Sequence, residues 1–143
     1  SFPTRRSSDL PMIINLTQHQ ATPDQIAAGV VDLPQSGREA LAELLKFEEL
    51  PDLDDIQDRA EALVLLAFHN DLEWDDVDDP FPEQAMIGGA PWLMEPLAKR
   101  LRAHGIIPLF AFSRRESIEQ VQQDGSVRKT NVFKHAGFVE ARK

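Results

Sequence analysis

The sequence predicts an α/β fold: a mainly parallel sheet flanked by helices, with a β-hairpin at its C-terminal end. Three observations carry this. Short apolar runs alternate with segments of helical periodicity, an order that calls for crossover connections between parallel strands. One such run, residues 85–87, passes straight into Gly88-Gly89 and then a helix opening near Pro91, where the backbone is bare of Cβ atoms. Finally, Asp124-Gly125 separates two β-prone stretches, which is a strong hairpin signal.

The elements follow in order. Residues 12–16 read as a buried strand, and Thr17-Gln18-His19-Gln20 as the polar loop after it. Thr22 can cap a short helix, with Pro23 at its first position and Gln25 at capping-box spacing; Gly29 ends it. Residues 30–33 form a second strand closed by Pro34. Ser36 is expected to cap a helix through Lys46 that places Ala40, Leu41, Leu44 and Leu45 on one face. After Pro51, Asp52, Asp54 and Asp55 favour a new helix start by complementing its dipole, and Ile56, Ala60, Leu63, Val64 and Ala67 keep helical spacing to about His69. Both helices are expected on one face of the sheet.

Residues 71–82 hold six acidic residues and two prolines and read as a mobile, solvated loop. Clustered carboxylates can bind a hard cation, but the ligand alternation and glycine of a calcium loop are missing. The third strand is 85–87, and the helix after it spans 91–105, with Leu93, Leu97 and Leu101 inward and a kink expected at Pro96. Residues 106–112, nearly all apolar, suit a central strand. Residues 116–121 and 127–133 flank the Asp-Gly turn, and 138–140 offer a last edge strand.

A chain of 143 residues without cysteine is most simply one domain, here 12–143, with a core that needs no disulfide. The same absence excludes a Cys-ligated zinc or iron–sulfur site and thiol catalysis. The four histidines show no HExxH-type spacing, so neither a metal nor another cofactor is expected. No apolar run approaches the roughly 20 residues that span a bilayer, and a cytoplasmic protein is the expectation. Residues 1–11 are polar and aperiodic; they resemble the translation of a sequencing-adapter read, so a non-native or disordered extension is expected, with Met12 as the natural start.

The net charge of −9 is unevenly spread. Residues 24–83 hold 18 Asp/Glu against three Lys/Arg, whereas residues 84–143 hold five against ten. Long nucleic acid is therefore an improbable partner, while a small anion held by the basic half is compatible with the pattern.

In open parallel sheets ligands sit beyond the carboxyl ends of the strands, and three such ends are polar here. The first bears Thr17, Gln18 and His19; the third Gly88, Gly89 and Ala90; the fourth Ser113, Arg114 and Arg115. Hydroxyl, imidazole, bare backbone N–H and guanidinium are groups that a phosphate or ribose needs. Each has a plainer reading: the glycines as a turn needing positive φ, either arginine as a surface partner of Glu116 or Glu119, and His19 as a solvated side chain. His104, before Gly105, is placed to stabilise a helix C-terminus. His135 can reach the cleft from the hairpin or lie on the surface.

The order of these pieces, from residues 12–16 with Thr17–Gln25 after them, through the double glycine to 109–117 and the closing hairpin, resembles the small CRISPR-associated ring nucleases. Those are similar to stand-alone CARF domains, Rossmann-like homodimers that bind and linearise cyclic oligoadenylates. The segments "NLTQH" and "GGAP" also resemble those of uncharacterised phage and mobile-element proteins. The likeness implies a Rossmann-like homodimer acting in antiviral defence by metal-independent ring opening. It further implies Arg114 or Arg115 and the Gly88–Gly89 amides on the phosphate, Thr17 and Ser113 on the ribose, and His19 moving a proton. Two other classes are open: a nucleotide-binding sponge without turnover, and a small α/β adaptor whose Asp75, Asp76, Asp78 and Asp79 bind a basic protein.

Overall fold

A computed structural model describes residues 12–68 and 82–141. Its elements are β1 (Ile13–Leu16), α1 (Pro23–Ala27), β2 (Val30–Asp32), α2 (Gln35–Leu45), α3 (Leu53–Phe68), β3 (Gln84–Ile87), α4 (Pro91–Ala103), β4 (Ile107–Val121) and β5 (Val127–Glu140). They build one five-stranded sheet in the order β2-β1-β3-β4-β5. The first four strands pair parallel, with Ile14 opposite both Val31 and Ala85, and Met86 opposite Leu109. Strand β5 returns antiparallel to β4, so the sheet is mixed. That follows from the short turn around Asp124-Gly125, which can join only antiparallel neighbours.

Local chemistry explains the helix starts. Thr22 accepts from the Gln25 N–H at 3.2 Å while Gln25 Oε1 accepts from the Thr22 N–H at 3.0 Å, the reciprocal box expected for α1. At α3, Asp52 accepts from the Asp55 N–H at 2.8 Å. The expected Ser36 cap is corrected: α2 begins at Gln35, its N-cap is Pro34, and no side chain caps it. Pro34, fixed at φ −61°, already sets the entry angle of the chain, and this leaves Ser36 inside the first turn.

Helices α2, α3 and α4 cover one face. Ile14, Leu16, Ala85 and Ile87 from the strands meet Leu41, Leu63, Val64, Leu93, Leu97 and Leu101 there. Each fully buried Leu or Ile contributes about 1.5–3 kcal/mol. The alternate strand positions Ile13, Val30, Met86 and Leu109 form a smaller cluster on the opposite face, with Ala21 and Phe138 packed against it. The two clusters are the inward and outward sets of one pleat.

The fourth strand is the largest correction. Instead of ending at residue 112, β4 runs to Val121, and the expected edge strand 138–140 is the end of β5. Strand β4 pairs with β3 through Ile107, Pro108 and Leu109; past Phe112 it pairs, among the described residues, with β5 alone. A register shift between Phe112 and Ser113 marks the passage from sheet to a free-standing arm. Such a ribbon has solvent on both faces, so its sequence lacks the apolar–polar alternation that marks a half-buried strand.

Residues 1–11, His69 and the acidic segment as far as residue 81, with Asp75, Asp76, Asp78 and Asp79, lie outside the described residues. No helix among the described residues is long and apolar enough to cross a membrane. Nor do three His, Asp or Glu side chains converge among them as metal ligands would.

Candidate functional site

Asn15 is a buried polar side chain in an otherwise apolar strand, and it organises the loop after β1. Its Nδ2 donates to Asp32 Oδ1 at 2.7 Å and to the His19 carbonyl at 2.8 Å. Its Oδ1 accepts from the Thr17 backbone N–H at 2.9 Å and from the Thr17 hydroxyl at 2.7 Å. Asp32, at the end of β2, also accepts from the Ala21 N–H at 3.1 Å. All hydrogen-bonding positions of the Asn15 amide are thus used, and residues 17–21 are held at both ends.

At the neighbouring strand end Gly88 lies so close to Thr17 that an added Cβ would stand 3.4 Å from Thr17 Cγ2. Gly89 adopts φ +146°, a conformation that L side chains rarely take. Ala90 then leads into α4, whose N-terminal turn has Pro91 and no side-chain cap. Pro91 has no N–H and the Leu93 N–H donates to the Ala90 carbonyl at 3.0 Å, so an anion here would draw on the rest of the first turn and on its dipole.

Between these loops lies a cleft of about 610 Å³. Thr17, Gln18, His19, Gln20, Thr22 and Gln25 line one side, and Gly88, Gly89 and Ala90 the other. Leu45, Met86, Ile87, Phe110 and Ala111 give it apolar walls. Its position follows from the topology: the chain leaves β1 toward β2 and comes back to β3 on the other side, so the loops after β1 and β3 diverge. His19 is the only titratable side chain among the described lining residues, which include no Lys, Arg, Asp or Glu.

Six of the residues singled out from sequence therefore meet: Thr17, Gln18, His19, Gly88, Gly89 and Ala90. Ser113, Arg114 and Arg115 do not line this cleft. They lie on the arm, opposite His135, Lys134 and Phe133, with the Arg115 guanidinium 5.9 Å from the Phe133 ring centre. The physical reason is the continuation of β4, which carries them past the edge where β1 and β3 stop. His135 instead sets its ring 4.8 Å from that of Phe138. His104 closes α4 as expected, its Nδ1 3.0 Å from the Arg100 carbonyl oxygen.

Sequence reasoning missed Asn15, Asp32, Gln20, Gln25 and the apolar walls. A signal for the first was available: an amide inside an apolar run needs partners, and a strand end is where it finds them. A second, larger groove of about 990 Å³ runs along α4, between Met94, Ala98 and Arg102 on one side and Phe110 and Ala141 on the other. It shares Gly89 and Phe110 with the cleft.

The sequence model of the Uncharacterized protein MJ1673 family matches residues 11–139. The chain belongs to this family. The match takes in α1 to α4, β1 to β4 and nearly all of β5, so the cleft and the arm both fall inside the MJ1673 region. No curated protein and no solved structure matches the chain.

Proposed function

We propose that this chain binds a nucleotide, of the cyclic oligoadenylate messenger type, in the cleft between the loops after β1 and β3. The observation that carries the reading is the place of this cleft at the reversal of strand order, where doubly wound sheets hold their ligands. The order β2-β1-β3-β4 with parallel pairing also supports a Rossmann-like description. A cleft of about 610 Å³ lies within the range of small-molecule sites. Phe110, Met86 and Leu45 suit a base; Gln18, Gln20, Gln25 and the threonine hydroxyls suit base edges and ribose; Gly88, Gly89 and the start of α4 suit phosphate.

Turnover is the catalytic extension of this reading. A ribose 2′-hydroxyl would give up its proton to a base as its oxygen attacks the adjacent phosphodiester, forming a 2′,3′-cyclic phosphate and breaking the bond to the 5′-oxygen, which takes a proton as it leaves. His19, at the cleft wall, is the group to take the 2′-hydroxyl proton. A sponge that binds without cleaving is the second reading, favoured by the want of Lys or Arg among the described lining residues.

One experiment separates them. Purified protein is incubated with cyclic tetra-adenylate in EDTA and the ligand extracted. A linear product supports ring opening, intact retained ligand supports a sponge, and no binding overturns both. If His19 is the general base, His19→Ala slows cleavage by about 10²–10⁴-fold; an unchanged rate rejects that role.

A further inference from the structure

The β4–β5 arm is the part of the fold that its own sheet leaves uncovered. Ten residues of β4, from Phe112 to Val121, reach about 30 Å at strand rise with only β5 beside them among the described residues. A lone two-stranded ribbon is marginal in water. This one also exposes Phe133 (70 %), Val121 (76 %) and Val127 (56 %). Its charge points to what it rests on. Residues 113–135 carry five Lys/Arg against three Asp/Glu, a balance of +2 in a chain of −9.

The acidic counterpart is on the same molecule. Residues 43–58 hold seven Asp/Glu against one Lys. They begin beside Leu45, which lines the cleft. The arm leaves the sheet past the edge where β1 and β3 end, the edge at which the cleft opens, yet Arg114 and Arg115 do not line the cleft of their own chain. We propose that the arm is a dimerisation arm: in a two-fold pair, the arm of each copy lies along the 43–58 margin of the other and carries Arg114 and Arg115 to the cleft that the other builds. Such an arrangement is self-complementary and closed. It covers the apolar ribbon and brings cations to a cleft whose described lining has none. The arm contact stands on charge and topology alone; delivery of arginines to a ligand rests on the nucleotide reading above.

The test uses the whole chain. Sedimentation at low salt should give a dimer that dissociates as salt rises, since exposed ion pairs are screened. The double variant Arg114→Glu/Arg115→Glu should sediment as a monomer with an unchanged far-ultraviolet circular dichroism spectrum. Because the chain has no cysteine, oxidising a mixture of the single variants Lys134→Cys and Glu48→Cys should give a covalent heterodimer. A wild-type monomer at every concentration overturns the proposal. So does a dimer indifferent to salt and charge reversal, or one whose heterodimer never cross-links. Binding of cyclic tetra-adenylate is read separately: a cross-linked dimer that binds none keeps the arm and removes the ligand, while full binding by a monomer does the reverse.

Discussion

Asn15 Nδ2 donates to Asp32 Oδ1 at 2.7 Å, a hydrogen bond between neighbouring parallel strands that ties the loop after β1 to the end of β2. Asn15→Leu keeps the volume but deprives the Thr17 N–H, the His19 carbonyl and Asp32 of a partner. Leaving buried polar groups unpaired costs about 1–3 kcal/mol each, less where water can reach them. The expected loss is therefore about 2–4 kcal/mol in urea unfolding. A midpoint equal to wild type would mean that the loop holds its shape without this amide.

The two glycines should answer differently to alanine. At Gly89, with φ +146°, an added Cβ meets Leu45 and Met94 only at ordinary contact distance, 3.6 Å, so backbone conformation dominates the cost. Gly89→Ala should destabilise by about 1–3 kcal/mol. At Gly88 the new methyl would touch Thr17 in the mouth of the cleft, so Gly88→Ala should leave the unfolding midpoint near wild type and weaken ligand binding. Equal losses of stability in both variants would sink the distinction.

Most of the helical layer was legible because its signals are local: the Thr22–Gln25 box, the acidic start of α3 and the apolar stripes through Leu63 and Leu97. Half of the candidate site was legible for a related reason, since strand ends followed by Thr17-Gln18-His19 and Gly88-Gly89 announce themselves as polar or bare interruptions of apolar runs. The arginines were misplaced because the polar run 113–115 reads as the end of one strand before the next β-prone stretch, whereas β4 continues through it into a ribbon exposed on both faces. Asn15 and Asp32 were missed because their pairing depends on register across two strands, which no single stretch encodes.

The arm should respond to acid at its turn. Asp124 accepts from the Ser126 hydroxyl at 2.6 Å and the Ser126 N–H at 2.9 Å, and these bonds hold its carboxyl below the usual carboxylate range. A carboxyl depressed in the folded state stabilises that state above its unfolded value, and the contribution fades as pH falls through the folded one. The turn is therefore expected to stay ordered at neutral pH and loosen only under acid stronger than an ordinary Asp needs. The Ser126 amide resonance should move with that titration in wild type and stay flat in Asp124→Asn.

Arg59 joins the far wall of the cleft to the helical layer, and its replacement is the sharpest test of that coupling. Its Nη1 donates to the carbonyls of Leu44 and Lys46 at 3.0 and 2.5 Å, at the end of α2 where carbonyls lack helical partners. Its Nε donates to Asp55 at 3.0 Å, and the guanidinium lies 4.1 Å from the Phe47 ring centre. Phe47 in turn meets Trp92 edge-on at 5.4 Å, at the start of α4. Arg59→Met retains the stem but removes every one of these polar contacts, and hydrogen bonds from a charged donor are worth about 1.5–3 kcal/mol each. A loss of about 2–4 kcal/mol is expected after solvent screening of the half-exposed pair. Arg59→Lys keeps the charge without the planar fork and should fall between. Leu45 sits between the two carbonyls that Arg59 holds, so ligand binding at the cleft should weaken in Arg59→Met even where the protein is fully folded. Stability lost with affinity intact would show that this wall of the cleft is fixed by the core alone.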